Sequence, residues 1–237
     1  MARHFVIMSG AGISADSGVA TFRGAGGLWE GKRIEDVATP RAWGRDPEGV
    51  WRFYQTRRAG LLEVEPNPAH HALVKLERTL EERGEHFTLI TQNVDDLHER
   101  AGSKNLLHMH GELSILACER CGTKGRDLEN LDPTVFQPCP ACGHERLRPD
   151  VVWFGEVPYH LEEIESALST CTDFIAVGTS GQVQPAASFL EFVRSQGANT
   201  WVLALERPEN VHPADTYIEG RAAVTMPKLV DELLLTH

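Results

Sequence analysis

Short apolar runs that end in Gly, Thr or Ser alternate along this chain with segments of helical periodicity. This alternation is typical of a sheet with helices packed on both faces. The predicted strands are His4–Ser9, His86–Thr91, 172–178, 199–205 and 222–226.

Apolar side chains three or four residues apart predict helices between these strands. Gly84 follows one of the periods in the manner of a helix C-terminus, and another has Pro185 near its start and Gly197 after its end. The predicted helices are marked by Leu73, Leu76 and Leu80, by Leu161, Ile164 and Leu168, by Phe189, Phe192 and Val193, and by the segment 227–235.

Two stretches interrupt this alternation. Residues 18–46 are rich in Gly and show little periodicity, which predicts a long functional loop rather than a strand and helix. Residues 118–148 contain cysteines and several Pro and Gly turn signals but few apolar side chains. Such a segment cannot build a core of its own, so it requires a metal to hold it together.

Four cysteines form two Cys-x-x-Cys pairs, Cys118 with Cys121 and Cys139 with Cys142. Each pair is a turn that directs two thiolates at one ion, and the separation of the pairs is typical of zinc ribbons. A redox dithiol is the alternative, although it needs only one pair. Four thiolates leave no open coordination position, so we expect one structural Zn²⁺ without a catalytic role.

The composition is that of a folded globular protein, with 41% hydrophobic residues and a formal net charge of −11. This charge disfavours nucleic acid, which is held by clustered Lys and Arg, and fits a Lys-rich protein segment better. The N-terminal apolar run is too short for a signal peptide or a membrane span, so we expect a cytoplasmic protein with no membrane partner. The oligomeric state stays open.

A glycine motif follows the first predicted strand. Gly10, Gly12 and Ala15 match the dinucleotide pattern, in which the backbone approaches a pyrophosphate and the N-terminus of the next helix stabilises its charge. A tight strand-to-helix turn without ligand is the alternative. The acidic ribose ligand of dehydrogenases is missing, because residues 24–29 form no second strand. We therefore expect a dinucleotide, bound in another manner.

Polar residues cluster after the strand His86–Thr91, where open α/β sheets place their ligands. Gln92, Asn93 and Asp95 can hold a polar ring and a ribose, although Asn93 or Asp95 capping the next helix is an equally good interpretation. His108 and His110 follow closely, and His110, next to Gly111, is a candidate general base.

Together these motifs resemble the sirtuin family over nearly the whole chain, from Gly10 to about Met226, and in the family's order. The resemblance implies an NAD-dependent protein lysine deacylase that acts on acylated-lysine proteins or peptides and releases nicotinamide and O-acyl-ADP-ribose. It also implies an NAD co-substrate beside the structural zinc. An NAD-dependent mono-ADP-ribosyltransferase, which shares the first chemical step, is the alternative.

The resemblance implies catalytic roles for His110, Asn93 and Asp95. Neutral imidazole at His110 takes a proton from a ribose hydroxyl, Asn93 orients a hydroxyl or water, and Asp95 supports the cationic nicotinamide. The cofactor-binding residues that it implies are Gly10, Ala11, Gly12, Ser14, Ala20, Thr21, Phe22, Arg23, Trp29, Gln92, Asn93, Val94, Asp95, His110, Gly178, Thr179, Ser180, Glu206 and Ala222.

Tyr54 and Arg57 share a helix face and resemble the branch of the family that prefers succinyl- and malonyl-lysine, with weaker deacetylase activity. A phenol and a guanidinium aimed into one pocket recognise a carboxylate. A solvated basic face formed by Arg52, Arg57 and Arg58 is the alternative. The implied substrate-binding residues are Ala25, Tyr54, Arg57, Val151, Val152, Trp153, Phe154, Gly155 and Glu156, of which 151–156 pair with the substrate backbone as an added strand.

The expected architecture is an α/β fold with a Rossmann-like parallel sheet, helices on both faces and a small zinc-binding module. We expect one sirtuin-type unit over residues 1–237. Its Rossmann-like part comprises 1–17, 84–112 and 149–237, its cofactor loop and helical part 18–83, and its zinc-ribbon insertion 113–148.

Overall fold

The structure, a computed structural model, describes residues 2–21, 28–29 and 31–235. Its strands are β1 His4–Ser9, β2 Leu28–Trp29, β3 Lys32–Arg33, β4 His86–Thr91, β5 Leu106–His108, β6 Gly111–Ala117, β7 Lys124–Arg126, β8 Arg148–Val151, β9 Asp173–Val177, β10 Asn199–Ala204 and β11 Thr216–Glu219. Its helices are α1 Ile34–Val37, α2 Pro40–Arg45, α3 Pro47–Leu61, α4 Pro68–Glu82, α5 Leu97–Ala101, α6 Leu161–Ser169, α7 Ala186–Ser195 and α8 Ala222–Leu235.

A six-stranded parallel sheet in the order β11-β10-β9-β1-β4-β5 forms the larger part of the molecule. Its central strands β1 and β9 are buried along almost their whole length, which is why they read as continuous apolar runs rather than as alternating ones. The predicted Rossmann-like parallel sheet is therefore confirmed.

Helices cover both faces of this sheet, as predicted. On one face α4 and α8 pack their apolar stripes against side chains such as Phe5 and Ile7 of β1. On the other face α6 and α7 pack against Val6 and Met8 of the same strand. Because side chains of a strand alternate between faces, one strand serves two cores.

The predicted strand 222–226 is wrong. These residues begin α8, and the edge strand β11 lies just before them at Thr216–Glu219. Ala222, Met226 and Leu229 are buried at helical spacing, a pattern that a short apolar run does not separate from a strand. Pro227, with which the predicted helix began, lies inside α8.

The interpretation of 18–46 as one long loop is also wrong in part. Helices α1 and α2 lie in its second half. The Thr39 side chain accepts a hydrogen bond from the Ala42 N–H at 3.0 Å, and Pro40 occupies the first turn of α2. A capping Thr followed by Pro is a helix-start signal, and the low apolar content of the segment obscured it.

A second core joins α1, α2 and α3 to the antiparallel sheet β7-β6-β8 that carries the cysteines. Trp43, Trp51 and Tyr54 pack there with Leu116 and Trp153. Helix α3 thus lies against the zinc module rather than against the parallel sheet.

A fully buried Arg58 fastens α3 to this module. Its Nε donates to the Leu113 carbonyl at 3.1 Å, and its other nitrogens contact Gln55 and the backbone of Asp127. The hydrogen bonds compensate for removing the guanidinium from water.

None of the described helices has the length and hydropathy needed to cross a bilayer.

Candidate active site

A cleft of about 820 Å³ lies at the carboxyl ends of β1, β4, β9 and β10 and extends to the zinc module. This is the edge where open parallel sheets bind ligands. The predicted site residues that line it are Gly10, Ala11, Gly12, Ala20, Thr21, Tyr54, Arg57, Gln92, Asn93, Val94, Asp95, His110, Val151, Val152, Trp153, Phe154, Gly155, Glu156, Gly178, Thr179, Ser180, Glu206 and Ala222.

Some predicted site residues stand apart from this lining. Ser14 is buried beneath the cleft, where it contacts residues that line it. Phe22, Arg23 and Ala25 lie outside the described residues. The backbone of Trp29 belongs to β2, which pairs with β3.

The glycine motif brings two turns into direct backbone contact. The Gly12 N–H donates to the Gly178 carbonyl at 2.8 Å, and the Gly10 N–H donates to the Val177 carbonyl at 3.0 Å. A Cβ at Gly12 would lie 2.7 Å from the Gly178 Cα, so side chains at this contact are excluded. Short 3-10 turns over Ala11–Ile13 and Ala15–Ser17 follow, in place of the expected helix. The N–H groups of Gly10 and Gly12 are thus used within the fold, and no long helix directs its dipole at this turn.

The polar residues after β4 are tied to the neighbouring turns. The Gln92 Nε2 donates to the Thr179 Oγ1 at 3.0 Å, and the Asn93 Nδ2 donates to the Ser14 Oγ at 3.1 Å. These bonds orient the two amides across the floor of the cleft.

Asp95 is buried in the same loop, and burial raises the pKa of its carboxyl to about 6 despite hydrogen bonds from Ser14 and the Leu97 N–H. The Leu97 N–H donates to the Asp95 Oδ1 at 3.2 Å, so Asp95 bonds the first residue of α5 from the position before the N-cap, which is Asp96.

His110 lies between β5 and β6 at the centre of the cleft. Its Nδ1 is 3.1 Å from the Gln92 carbonyl oxygen, which can only accept, so this nitrogen carries a proton. Burial lowers the pKa of His110, and the ring is therefore neutral near pH 7 with an unprotonated Nε2. A neutral imidazole with one nitrogen anchored and the other basic is suited to accept a proton.

Sequence reasoning missed two histidines behind the cleft. His70 and His98 are fully buried, with ring centroids 4.9 Å apart. The His70 Nε2 lies 3.5 Å from the Ser14 Oγ, and burial lowers the pKa of His70 to about 4. The His98 Nε2 lies 2.9 Å from the Ser9 Oγ. The signal available in the sequence was the occurrence of histidine on helix faces that are otherwise apolar.

Tyr54 and Trp153 meet at the opposite end of the cleft, next to the zinc module. The Trp153 Nε1 donates to the Tyr54 hydroxyl at 2.9 Å, and both side chains are buried. Arg57 lines the cleft one helical turn further on, with its Nε and Nη1 shielded from solvent. The alternative of a solvated basic face is wrong for Arg58, which is fully buried, while Arg52 is exposed.

The segment 151–156 continues from β8 along the rim of the cleft. The Val152 N–H donates to the His110 carbonyl at 2.9 Å, and the Phe154 N–H donates to the Ala38 carbonyl at 3.0 Å. The Phe154 side chain remains 45% exposed on this rim. Glu156 forms an ion pair with Arg148 at 2.7 Å, and Arg148 lies over the Trp153 ring.

The four cysteines converge as one cluster. Their sulfur atoms lie within 4.8 Å of one another, with Cys118 to Cys142 at 3.7 Å and Cys121 to Cys139 at 3.6 Å. Thiolates around one tetrahedral Zn²⁺, at about 2.3 Å each, are about 3.8 Å apart. The donor set therefore fits a structural zinc, as predicted, and it lies outside the residues that line the cleft.

Comparisons with known proteins agree with this geometry. The sequence profile of the Sir2 family matches residues 10–185. An NAD-dependent protein deacylase of Bdellovibrio bacteriovorus is 49% identical over 235 residues, which is 98% of this chain and 97% of the relative. A solved Sir2 homologue in complex with NAD is 38% identical, with a TM-score of 0.89 over 99% of this chain and 91% of its own.

A more distant structure, Sir2Af2 bound to a myristoylated histone peptide, is 30% identical, with a TM-score of 0.76 over 99% of this chain and 92% of its own. The family profile covers most of the chain, and the relatives match it almost end to end. The chain belongs to the Sir2 family.

Proposed function

We propose that this protein is an NAD-dependent protein lysine deacylase that prefers succinyl- and malonyl-lysine to acetyl-lysine. The observation that carries the proposal is the neutral imidazole of His110, anchored through Nδ1 to the Gln92 carbonyl, in a cleft shared with the glycine turn. Four thiolates that must stay reduced to hold zinc favour the cytoplasm as its compartment.

NAD supplies the ribose carbon that accepts the acyl oxygen as nicotinamide leaves. The residues placed to hold it are the glycine turn, with Gly178 and Thr179 at its phosphates and Glu206 and Ala222 at its adenosine end. Glycines suit phosphate binding, because without side chains the backbone of the turn can approach the anion closely.

The reaction needs a base and a fixed set of polar groups. His110 accepts the proton of a ribose hydroxyl at Nε2, which is the nitrogen left basic by the Gln92 contact. Asn93, held by Ser14, orients a hydroxyl or water, and ionised Asp95 stabilises the cationic nicotinamide. The products are free lysine, nicotinamide and O-acyl-ADP-ribose.

Acyl selection is assigned to Tyr54 and Arg57. Both line the cleft from α3, and Arg57 offers a guanidinium whose Nε and Nη1 are removed from bulk water. A charged hydrogen bond to a terminal carboxylate is stronger in such a setting than in solution. Acetyl-lysine has no carboxylate, so it gains nothing from this pair.

The test is the change of Arg57 to Met, assayed by NAD-dependent release of acetyl, succinyl and glutaryl groups from one peptide. Loss of a charged hydrogen bond costs ~1.5–3 kcal/mol, which corresponds to a fall of about 10- to 150-fold in kcat/KM for succinyl-lysine. Acetyl turnover should change little. The matched control is Arg52→Met on the exposed face of the same helix, which should leave both activities intact.

Survival of succinyl turnover in the Arg57 variant, with a fall in acetyl turnover, would contradict the acyl assignment. Product analysis tests the reaction type itself, since transfer of ADP-ribose would leave a stable ADP-ribosyl protein instead of free lysine. That alternative has no support in the names of the relatives and is not proposed.

A further inference from the structure

His108 ends β5, two residues before His110, and is only 8% exposed. Glu99 of α5 and Glu112 of β6 lie beside it, and the three side chains have ligand atoms within 4.8 Å of one another. None of these residues lines the cleft, and the mechanism above gives them no role.

Both ring nitrogens of His108 face oxygen acceptors. Nδ1 is 3.2 Å from the Asn93 carbonyl oxygen, and Nε2 is 2.7 Å from the Glu99 Oε1. A carbonyl and a carboxylate only accept hydrogen bonds, so each ring nitrogen carries a proton and the ring is an imidazolium. Burial opposes this charge, but the hydrogen bond and negative charge of Glu99 outweigh it and raise the pKa of His108.

A shared proton explains the cluster better than a metal ion does. Nitrogen and oxygen ligands at about 2.0–2.1 Å from one tetrahedral Zn²⁺ are about 3.3 Å apart. The 2.7 Å between His108 and Glu99 is shorter than that and has the length of a charge-assisted hydrogen bond.

We propose that His108 is a positioning residue, held as an imidazolium by Glu99, that fixes the Asn93 carbonyl and stabilises ionised Asp95. The proposal rests on the proposed function for its kinetic consequence alone. Asn93 is then held at both ends of its backbone, since its N–H donates to the Thr91 Oγ1 at 3.0 Å. Its side-chain amide thereby stays directed at Ser14.

The second proposed effect of His108 is electrostatic and acts on the ionised form of Asp95. His108 Nδ1 contacts the carbonyl of Asn93, two residues before Asp95. From there its positive charge lowers the pKa of the buried Asp95 carboxyl, and the negative charge of Glu99 raises it. Ser14 and the Leu97 N–H contribute hydrogen bonds. On the far side of His108, Glu112 adds a negative charge.

Asp96, next to Asp95, is paired with Arg126 at 2.9 Å and lies 3.8 Å from Arg100, so these neighbouring charges offset one another. Burial lowers the pKa of His98 and of His70, so both are neutral near pH 7. Removal of the His108 charge would therefore leave the negative charge of Glu99 acting on Asp95 without the cation that lowers the pKa of that carboxyl.

The kinetic test compares His108→Gln, Glu99→Gln and the double variant through the pH profile of kcat/KM for NAD. In His108→Gln the acidic limb should move to higher pH by about one unit, because a cation that favours the Asp95 carboxylate is gone. In the double variant most of this shift should disappear, since cation and anion are removed together. His71→Gln, exposed on α4, is the control.

A structural role alone would lower kcat/KM by one factor at every pH and would leave the limb in place, and that result would overturn the proposal. If the shift of the acidic limb in the double variant equalled the sum of the shifts in the two single variants, the proposal would be overturned as well. Thermal unfolding of each variant identifies any that fail to fold. Glu99→Gln offers a second way to remove the His108 charge, because the Gln amide can donate a hydrogen bond to a neutral His108.

A readout independent of activity is the ¹⁵N NMR titration of labelled histidine rings in the intact protein. His108 should become neutral at a higher pH than exposed His71, with both ring nitrogens protonated below that midpoint. A midpoint at or below that of His71 would refute the imidazolium. Absence of NAD-dependent deacylation would refute the proposed function but would leave this titration unchanged, so the two failures are distinguishable.

Discussion

For the buried carboxyl of Asp95, folding favours the protonated form, whereas the proposed chemistry needs the ionised form. Burial raises the pKa of its carboxyl from 3.8 to about 6, so the folded protein favours the protonated form more than the unfolded chain does. This stabilising contribution is complete below pH 3.8 and is lost as pH rises through about 6. Near neutral pH the protein therefore holds a buried carboxylate at the expense of stability.

We predict that Asp95→Asn stabilises the fold at pH 7.5 while it suppresses turnover. A pKa difference of about two units corresponds to ~3 kcal/mol, which sets the order of magnitude of the expected gain in the free energy of unfolding. Urea denaturation measures the gain, and NAD-dependent deacylation measures the loss. The control is Asp231→Asn at an exposed position of α8, whose ion pair with Lys75 is open to solvent. A destabilised Asp95→Asn variant with full activity would contradict the prediction.

The sequence predicted the type of several candidate site residues but not the hydrogen bonds that hold them. The neutral state of His110 followed from the ordinary pKa of histidine, but its anchor on the Gln92 carbonyl requires the juxtaposition of β4 and β5. His70 and His98 were missed because their contacts with Ser14 and Ser9 join residues 56 and 89 positions apart in the sequence. Local patterns identify residue types at strand ends, whereas long-range hydrogen bonds depend on the tertiary fold.

At the scale of elements, the conformation of Gly111 fixes the position of the neighbouring His110 backbone. It joins β5 to β6 with φ of 76°, a left-handed conformation that glycine tolerates best. A Cβ there would lie 2.0 Å from the Asp150 carbonyl oxygen of β8. The strand pairing of β6 with β8 thus fixes the backbone directly after the candidate base.

We predict that Gly111→Ala reduces kcat by at least about tenfold, because relief of the clash displaces β6 and with it His110. The control is Gly84→Ala, which has φ of 70° but no atom within 4 Å of the added Cβ. That variant should lose about 1 kcal/mol of stability and keep its activity. Equal kinetic constants for the two variants would show that the close contact with Asp150 is unimportant.

The sequence indicated the elements of the parallel sheet better than those around it. Strands β1 and β4 were predicted with the correct bounds, because buried parallel strands are continuous apolar runs with clear turn residues after them. The run 222–226 has the same appearance but is helical, since its apolar stripe continues into α8. Helices α1 and α2 were missed because they pack on the zinc module, which supplies apolar contacts that their own sequences lack.

On the scale of the whole molecule, the zinc module is joined to the cleft by a charged contact as well as by its core. Arg126 of β7 pairs with Asp96, in the loop after β4, at 2.9 Å. The module therefore supports the loop that carries Asn93 and Asp95, although its thiolates lie outside the cleft lining.

We predict that removal of zinc by a chelator abolishes deacylation of every acyl group and lowers the unfolding temperature. Binding free energies of structural zinc are ~10–16 kcal/mol, so the metal-free module has too little core to remain folded. Cys139→Ser should reproduce the loss. Cys171→Ser, which lies outside the cluster, should not. Full activity of a metal-free protein that remains folded would contradict a supporting role for the module.

The location of α3 in the second core separates the two recognition tasks of this enzyme. Tyr54 and Trp153 are packed with the zinc module, whereas the turns that carry Gly10, Gly12 and Gly178 follow strands of the parallel sheet. Mutations that reshape the acyl pocket therefore disturb a hydrophobic cluster other than the one that supports the nucleotide. A change in α3 that keeps the packing of Phe5 and Ile7 with α4 and α8 intact would therefore alter the proposed acyl site without disturbing the parallel sheet.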